Sequence, residues 1–168
     1  ENQTALDWLY KWEKEKPNSI YLSQPVDGIW HNWTFSQVAN EVRKMASYIN
    51  SLELENNSKI AILSKNCAHW IMSDLAIFLS GHISVPLYPN LNGESLNQIL
   101  NHSETKLLFV GKLDDFASQK SAIPRDVNCI SFPFYTEDYP MWEDVVKDFD
   151  PSNDLKRISN ELASIIYT

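Results

Sequence analysis

The sequence predicts an α/β protein: an open, mostly parallel sheet with flanking helices, preceded by a helix and a β-hairpin. Three observations carry that expectation. Between residues 57 and 132, four β-prone runs, "KIAIL", "ISVPL", "KLLFV" and "VNCISF", alternate with helical patterns. Alternation with connections this short gives right-handed βαβ units and a parallel sheet with helices on its faces. Ahead of these units, residues 1–56 carry two helix-opening patterns and, between them, a turn dipeptide flanked by β-prone runs.

Taken in order, Thr4 with Asp7 three residues on forms a capping box and opens a helix with Leu6, Leu9 and Tyr10 on one face. The "EKEK" run that follows reads as a solvated face. "IYLSQPVDGIWHNW" is a hairpin turning at Asp27-Gly28, a pair suited to positive φ. Thr34 and Gln37 form a second capping box, and Phe35, Val38, Val42, Met45, Ile49 and Leu52 lie on one helical stripe that packs on a core. After a polar break, residues 59–63 are a strand, and "CAHWIMSDLAIFLS" is a helix closed by Gly81. "ISVPL" is the next strand. Proline cannot donate to a ladder, so Pro86 is expected at that strand's last paired position. Asn92 caps the helix "ESLNQILNH"; "KLLFV", a helix within "LDDFASQKS" and "VNCISF" complete residues 57–132. Residues 133–160 read as an acidic, proline-punctuated surface connection with one short helix at "MWEDVVKDF". The β-branched run of residues 161–168, "ELASIIYT", reads as a strand buried on both faces.

Composition excludes several classes of function. With 168 residues, 43% of them hydrophobic, the chain is long enough for one good-sized core. A net charge of -8 and the lack of any basic stripe argue against a nucleic-acid partner, which needs clustered Lys and Arg. Cys67 and Cys129 stand far apart with no ligand-spaced partner, fitting free thiols in a reducing compartment. No basic-then-apolar leader opens the sequence, and the most apolar helix is broken by Asp74 and too short to span a bilayer. A cytoplasmic location without a transmembrane segment is the expectation.

The residues themselves offer little catalytic machinery. His31, His69, His82 and His102 are scattered and read as structural, and no serine sits in a Gly-x-Ser-x-Gly elbow. The carboxylates at Asp114-Asp115, Glu137-Asp138 and Asp148-Asp150 fall in polar stretches and read as solvated. The six tryptophans read as core and lid packing. No catalytic residue and no metal ligand is assigned. Gly28, Gly81, Gly93 and Gly111 lie too far apart to make a phosphate-cradling loop.

Three stretches, in order, resemble the opening motifs of the AMP-forming adenylating enzymes, a family of acyl-CoA synthetases, luciferases and peptide-synthetase adenylation domains. "WTFSQVANEVRKMASYI" is similar to their Thr-aromatic-x-Glu-Leu helix start, with Gln37 in place of the acid. Residues 59–110 resemble the next block almost throughout, including Asn66, Trp70, Gly81, Pro86, Tyr88 and Pro89; His82 departs from the small residue common there. "ELASIIYT" resembles the strand leading into the family's phosphate loop, of which Thr168 alone is present. The likeness covers residues 4–110 and 161–168.

The resemblance implies the N-terminal part of a larger adenylate-forming domain. The parent would be an ATP-dependent acyl-CoA synthetase, most like the long-chain fatty-acid-CoA ligases, forming an acyl-adenylate and then a CoA thioester. It would use fatty acid, ATP, Mg²⁺ and coenzyme A, and would touch membranes, if at all, peripherally through its substrate. Thr168 is the one position carried over as a nucleotide contact. Asn66, Pro86 and Pro89 keep structural readings: helix cap, strand end and rigid turn. Residues 1–168 alone are expected to bind no cofactor and to be inactive, and to self-associate through apolar surface that the rest of the domain would cover. The alternation alone would equally allow a stand-alone flavodoxin-like binding or signalling domain, and the resemblance would also admit another adenylating enzyme of the same superfamily.

Overall fold

The computed structural model describes residues 3–135, 138–153 and 162–168. Helix α1 (Ala5–Glu15) starts at a complete capping box: the Thr4 hydroxyl accepts the Asp7 amide and the Asp7 carboxylate accepts the Thr4 amide. Strands β1 (Ile20–Val26) and β2 (Ile29–Thr34) pair antiparallel around Asp27 and Gly28, whose φ values of 51° and 81° fit a hairpin turn with two left-handed residues. Helix α2 (Phe35–Ser51) opens at the Thr34–Gln37 capping box and buries Val38, Val42, Met45 and Ile49, with Phe35 and Leu52 at the rim. The "EKEK" run is not wholly solvated. Glu13 makes a two-pronged pair with Arg43 at 2.6 and 2.8 Å, tying α1 to α2.

Strands β3 (Lys59–Leu63), β4 (Ile83–Leu87), β5 (Leu107–Val110) and β6 (Asn128–Ser131) form one parallel sheet in the order β4-β3-β5-β6. Helices α3 (Ala68–Leu79), α4 (Gly93–His102) and α5 (Ala117–Lys120) make the crossovers. The chain steps from β3 to β4 in one direction and from β4 over to β5 in the other. With right-handed crossovers, α3 must then lie on one face and α4 and α5 on the opposite one. Two core clusters confirm it. Ile60, Ile62, Leu107 and Phe109 pack under α1, α2 and α3, while Ala61, Leu63, Leu108 and Val110 pack under Leu96 and Leu100 of α4. The strand order matches that of flavodoxin-like sheets, in which chain reversal between neighbouring strands opens a crevice at their carboxyl ends.

Three expectations are corrected. Residues 133–153 are not simply a surface connection: Trp142 (1% exposed) and Val146 sit in the larger core, and the Trp142 Nε1 donates to Glu41 of α2 at 2.9 Å. Helix α6 (Trp142–Val146) inserts them; residues 136, 137 and 154–161 lie outside the described residues, including Glu137 and most of the second half of the connection. Second, Pro86 is not the last paired residue of β4, because the register runs on to Leu87↔Leu63.

Third, residues 162–168 are not a strand buried on both faces. They touch the outer edge of β4 at one parallel bridge, Ser84↔Ser164, with the Ser84 amide donating to Ala163 O and the Ile165 amide to Ser84 O, each at 2.8 Å. Leu162 is 56% and Ile166 63% exposed. Pro86 explains the brevity. Odd-numbered residues of β4 bond to β3, as Ile83 does to Ser58 O, so even-numbered ones face outward. The next outward donor after Ser84 would be the Pro86 amide, which does not exist.

Candidate functional site

Ligands of doubly wound sheets sit outside the carboxyl ends of the strands, near the reversal point, here between β3 and β5. That crevice is stitched shut at its base. The Gly111 amide donates to Leu63 O at 3.0 Å and the Lys65 amide to Lys112 O at 2.8 Å. The Ser64 hydroxyl fills the space between, accepting the Lys112 amide at 2.9 Å. Gly111 is required there because a Cβ would fall 2.4 Å from both the Ser64 Oγ and the Phe132 ring.

The open volume lies one strand over, above β3 and β4, as a cleft of about 460 Å³. Asn66, Trp70, Pro86, Tyr88 and Pro89, the residues that carry most of the middle block's resemblance, all line it, together with Lys65 and Ile166 of the terminal segment. Gly81 does not join them: it follows α3 at the opposite end of the sheet, at φ 86°. Two turns shape the floor. The loop after β4 turns at Tyr88–Leu91 and is pinned by Gln119, whose side-chain amide donates to Pro89 O and Leu91 O at 2.9 Å each. Thr168 is exposed at the end of the terminal segment, two residues beyond Ile166.

Asn66 is not the cap of α3. The N-cap position is Cys67, which makes no side-chain capping bond. The cap comes from the hairpin instead: Gln24 Oε1 accepts the Ala68 amide at 2.7 Å, while its Nε2 reaches the Tyr135 hydroxyl. Neither Gln24 nor Gln119 gave any signal in the sequence, since a polar residue in a strand or a short helix ordinarily faces water. Both are buried.

Electrostatics around the cleft are mild. Lys65 is paired with the exposed Asp114 at 2.6 Å, and the Lys112 ammonium stands 6.0 Å from the Tyr135 ring centre. Burial pushes the Cys67 thiol above its usual range, opposed by backbone amides at the start of α3, Ser64 and Lys112. Cys129 is pushed up to about 11, also by burial. Both thiols are free and half-buried, which fits structural cysteines. The histidines keep structural surroundings. His69 is boxed by Trp33, Trp142 and Phe132, and burial lowers it to about 4. The His82 Nδ1 accepts the Ser58 amide at 3.2 Å, so the departure at this position serves packing at the start of β4. His102 meets the Tyr167 hydroxyl at 3.0 Å and His31 packs on Phe134. Among the described residues, no three His, Cys, Asp or Glu side chains converge on a metal position. Among them, too, no helix is long and apolar enough to cross a membrane.

A model of the AMP-binding enzyme family matches residues 9–168. The chain is 27% identical over 109 residues to the long-chain-fatty-acid–CoA ligase FadD15 of Mycobacterium bovis, covering 65% of this chain and 18% of that protein. It is 30% identical over 110 residues to long chain acyl-CoA synthetase 4 of Arabidopsis thaliana, covering 61% of this chain and 16% of that one. The chain thus spans less than a fifth of the length of these relatives. Among solved structures it superposes on the coronafacic acid ligase of Pectobacterium brasiliense with a TM-score of 0.79 at 19% identity, over 95% of this chain and 32% of that one. The anthranilate CoA ligase AuaEII, in complex with anthranoyl-AMP, gives 0.76 at 20% identity, over 92% and 30%. These likenesses concern the fold.

Proposed function

The chain belongs to the AMP-binding enzyme family, and from that premise we propose that it forms part of an ATP-dependent acyl-CoA synthetase acting on long-chain fatty acids. The observation that supports this reading is the gathering of Asn66, Trp70, Pro86, Tyr88 and Pro89 around one cleft at the carboxyl ends of β3 and β4. Ile166 of the terminal segment lines that cleft, and Thr168, two residues on, is proposed as a nucleotide contact.

In the proposed reaction, the fatty-acid carboxylate attacks the α-phosphate of ATP, pyrophosphate leaves, and an acyl-adenylate forms. The thiol of coenzyme A then attacks the acyl carbon and AMP leaves. An anion attacking an anion needs preorganised positive charge and hydrogen-bond donors. Among the described residues no three His, Cys, Asp or Glu side chains converge, and no step is assigned to a metal here. What this part of the chain contributes is a rigid frame. The β3–β5 crevice is closed by backbone bonds, the loop after β4 is fixed by Gln119, and α3 is capped by Gln24.

The reading predicts ATP–pyrophosphate exchange dependent on long-chain fatty acids in the complete protein that carries these residues. A panel of carboxylates from acetate to palmitate, with aromatic acids included, tests it; exchange with short or aromatic acids alone would replace the substrate assignment. Residues 1–168 by themselves are expected to show no micromolar ATP binding by isothermal titration, because one threonine cannot stand in for a loop of amides.

A further inference from the structure

Among the described residues, the backbone of the terminal segment bonds to the sheet only through Ser84, and the missing Pro86 amide ends that pairing after Ile165. Exposed segments held by so few bonds open readily. Yet Ile166, one residue further on, lines the cleft over β3 and β4, and Thr168 follows two residues later.

A side chain supplies the second anchor. The Tyr167 hydroxyl meets His102 Nδ1 at 3.0 Å, and the two rings stand edge to face, at 82° with centres 5.7 Å apart. A phenol can donate to a ring nitrogen or accept from its N–H, so either tautomer of His102 keeps the bond. Tyr167 also packs against the core cluster that holds Leu96 and Leu100 of α4. His102 is the last residue of that helix, so the anchor stands on a packed element.

Exposure along the segment alternates: Ile165 and Tyr167 are half-buried, while Ile166 and Thr168 are exposed. That is the period of extended chain, in which neighbouring side chains take opposite sides and every second one takes the same side. Seating Tyr167 on α4 therefore turns Ile166 and Thr168 the other way together.

We propose that His102 is a positioning residue: by holding Tyr167 on α4 it keeps Ile166 at the cleft and Thr168 on the same side, where a nucleotide would meet it. The anchor rests on the His102–Tyr167 geometry; only the nucleotide rests on the ligase reading.

The experiment is amide hydrogen exchange at pH 7 of the complete protein that carries these residues, read in peptides covering residues 162–168, where the Ile165 amide donates to Ser84 O. His102→Ala and Tyr167→Phe are each expected to speed exchange there about fivefold, as loss of one hydrogen bond would. The double variant is expected to go no further than either single one, because both remove the same bond. His102→Asn offers an amide group at the position of Nδ1, and is expected to restore the parent rate. His102 is exposed and Tyr167→Phe keeps the ring, so neither change endangers the fold. Unchanged exchange in either single variant overturns the proposal, and so does a His102→Asn rate as fast as that of His102→Ala. Exchange that rises equally in β3 and β5 overturns it as well, since that would mark a general loss of stability. No nucleotide or carboxylate is present in the measurement, so a protein that proved unable to adenylate would sink the ligase reading and leave this result standing.

Discussion

Gln24 closes the start of α3 from another element altogether: its Oε1 accepts the Ala68 amide at 2.7 Å across 44 residues of chain. The hairpin is thereby bound to the helix that borders the cleft. Replacing Gln24 with alanine leaves a buried amide and the Tyr135 hydroxyl without this partner, and is expected to destabilise the chain by about 1–3 kcal/mol. Chemical denaturation of Gln24→Ala against the parent measures it. A loss within experimental error would mean that water caps α3 equally well.

Gly111 marks the closest approach of the β3 and β5 loops. An added methyl would lie 2.4 Å from the Phe132 ring and from the Ser64 hydroxyl, so Gly111→Ala is expected to cost at least the roughly 1–3 kcal/mol of an overpacked core. Combining it with Ser64→Gly removes one of the two clashes and should recover part of the loss, a coupling read from the four-way comparison of midpoints. Simple additivity would place the obstruction at Phe132 alone.

His69 makes stability depend on pH. Burial among Trp33, Trp142 and Phe132 lowers it from 6.5 to about 4, so the folded state holds the neutral ring and the unfolded state binds the proton more readily. Its contribution is complete above pH 6.5 and is lost as pH falls through 6.5 toward 4. Between pH 7 and pH 5 the expected loss is about 2 kcal/mol. Asp74 works in the other direction: its raised value favours the folded state at low pH, and that contribution is lost as pH rises. The pH dependence of the parent minus that of His69→Phe isolates the histidine, and parallel curves for the two proteins would count against it.

Apolar side chains remain in water on several faces: Trp8 on α1, Ile29 and Trp30 by the hairpin turn, Phe134, and Leu162 and Ile166 on the terminal segment. Exposed apolar side chains mark an interface where they gather into one contiguous patch. The 168-residue chain is expected to form dimers or larger species, and sedimentation velocity across a concentration series detects them. A clean monomer at high concentration would show that these side chains are too dispersed to act as one patch.

Much of the fold was legible because local chemistry and long-range packing agree. The Thr4–Asp7 and Thr34–Gln37 boxes, the Asp27-Gly28 turn and the stripe from Val38 to Ile49 each announce their structure within a few residues. The burial of helix α6 was missed because its acidic surroundings read as surface, and the contact that fixes Trp142, its Nε1 to Glu41, comes from 101 residues away. Residues 162–168 were misread as doubly buried because β-branched composition reports strand preference but not the number of partners available. The cleft was partly legible: the residues singled out by resemblance do meet there, yet Asn66 was given a capping role that belongs to Gln24, a residue with no local cue.

Pro86 has a colloidal consequence. It stands on the outward rim of β4, where every second residue would otherwise offer a donor to any extended chain that came alongside. With that donor missing after Ser84, a neighbouring molecule cannot zip onto this rim for more than about one residue pair, and growth of fibre-like stacks from it is blocked at the first step. At that border, contacts between molecules must therefore run through side chains, leaving this edge of the sheet closed.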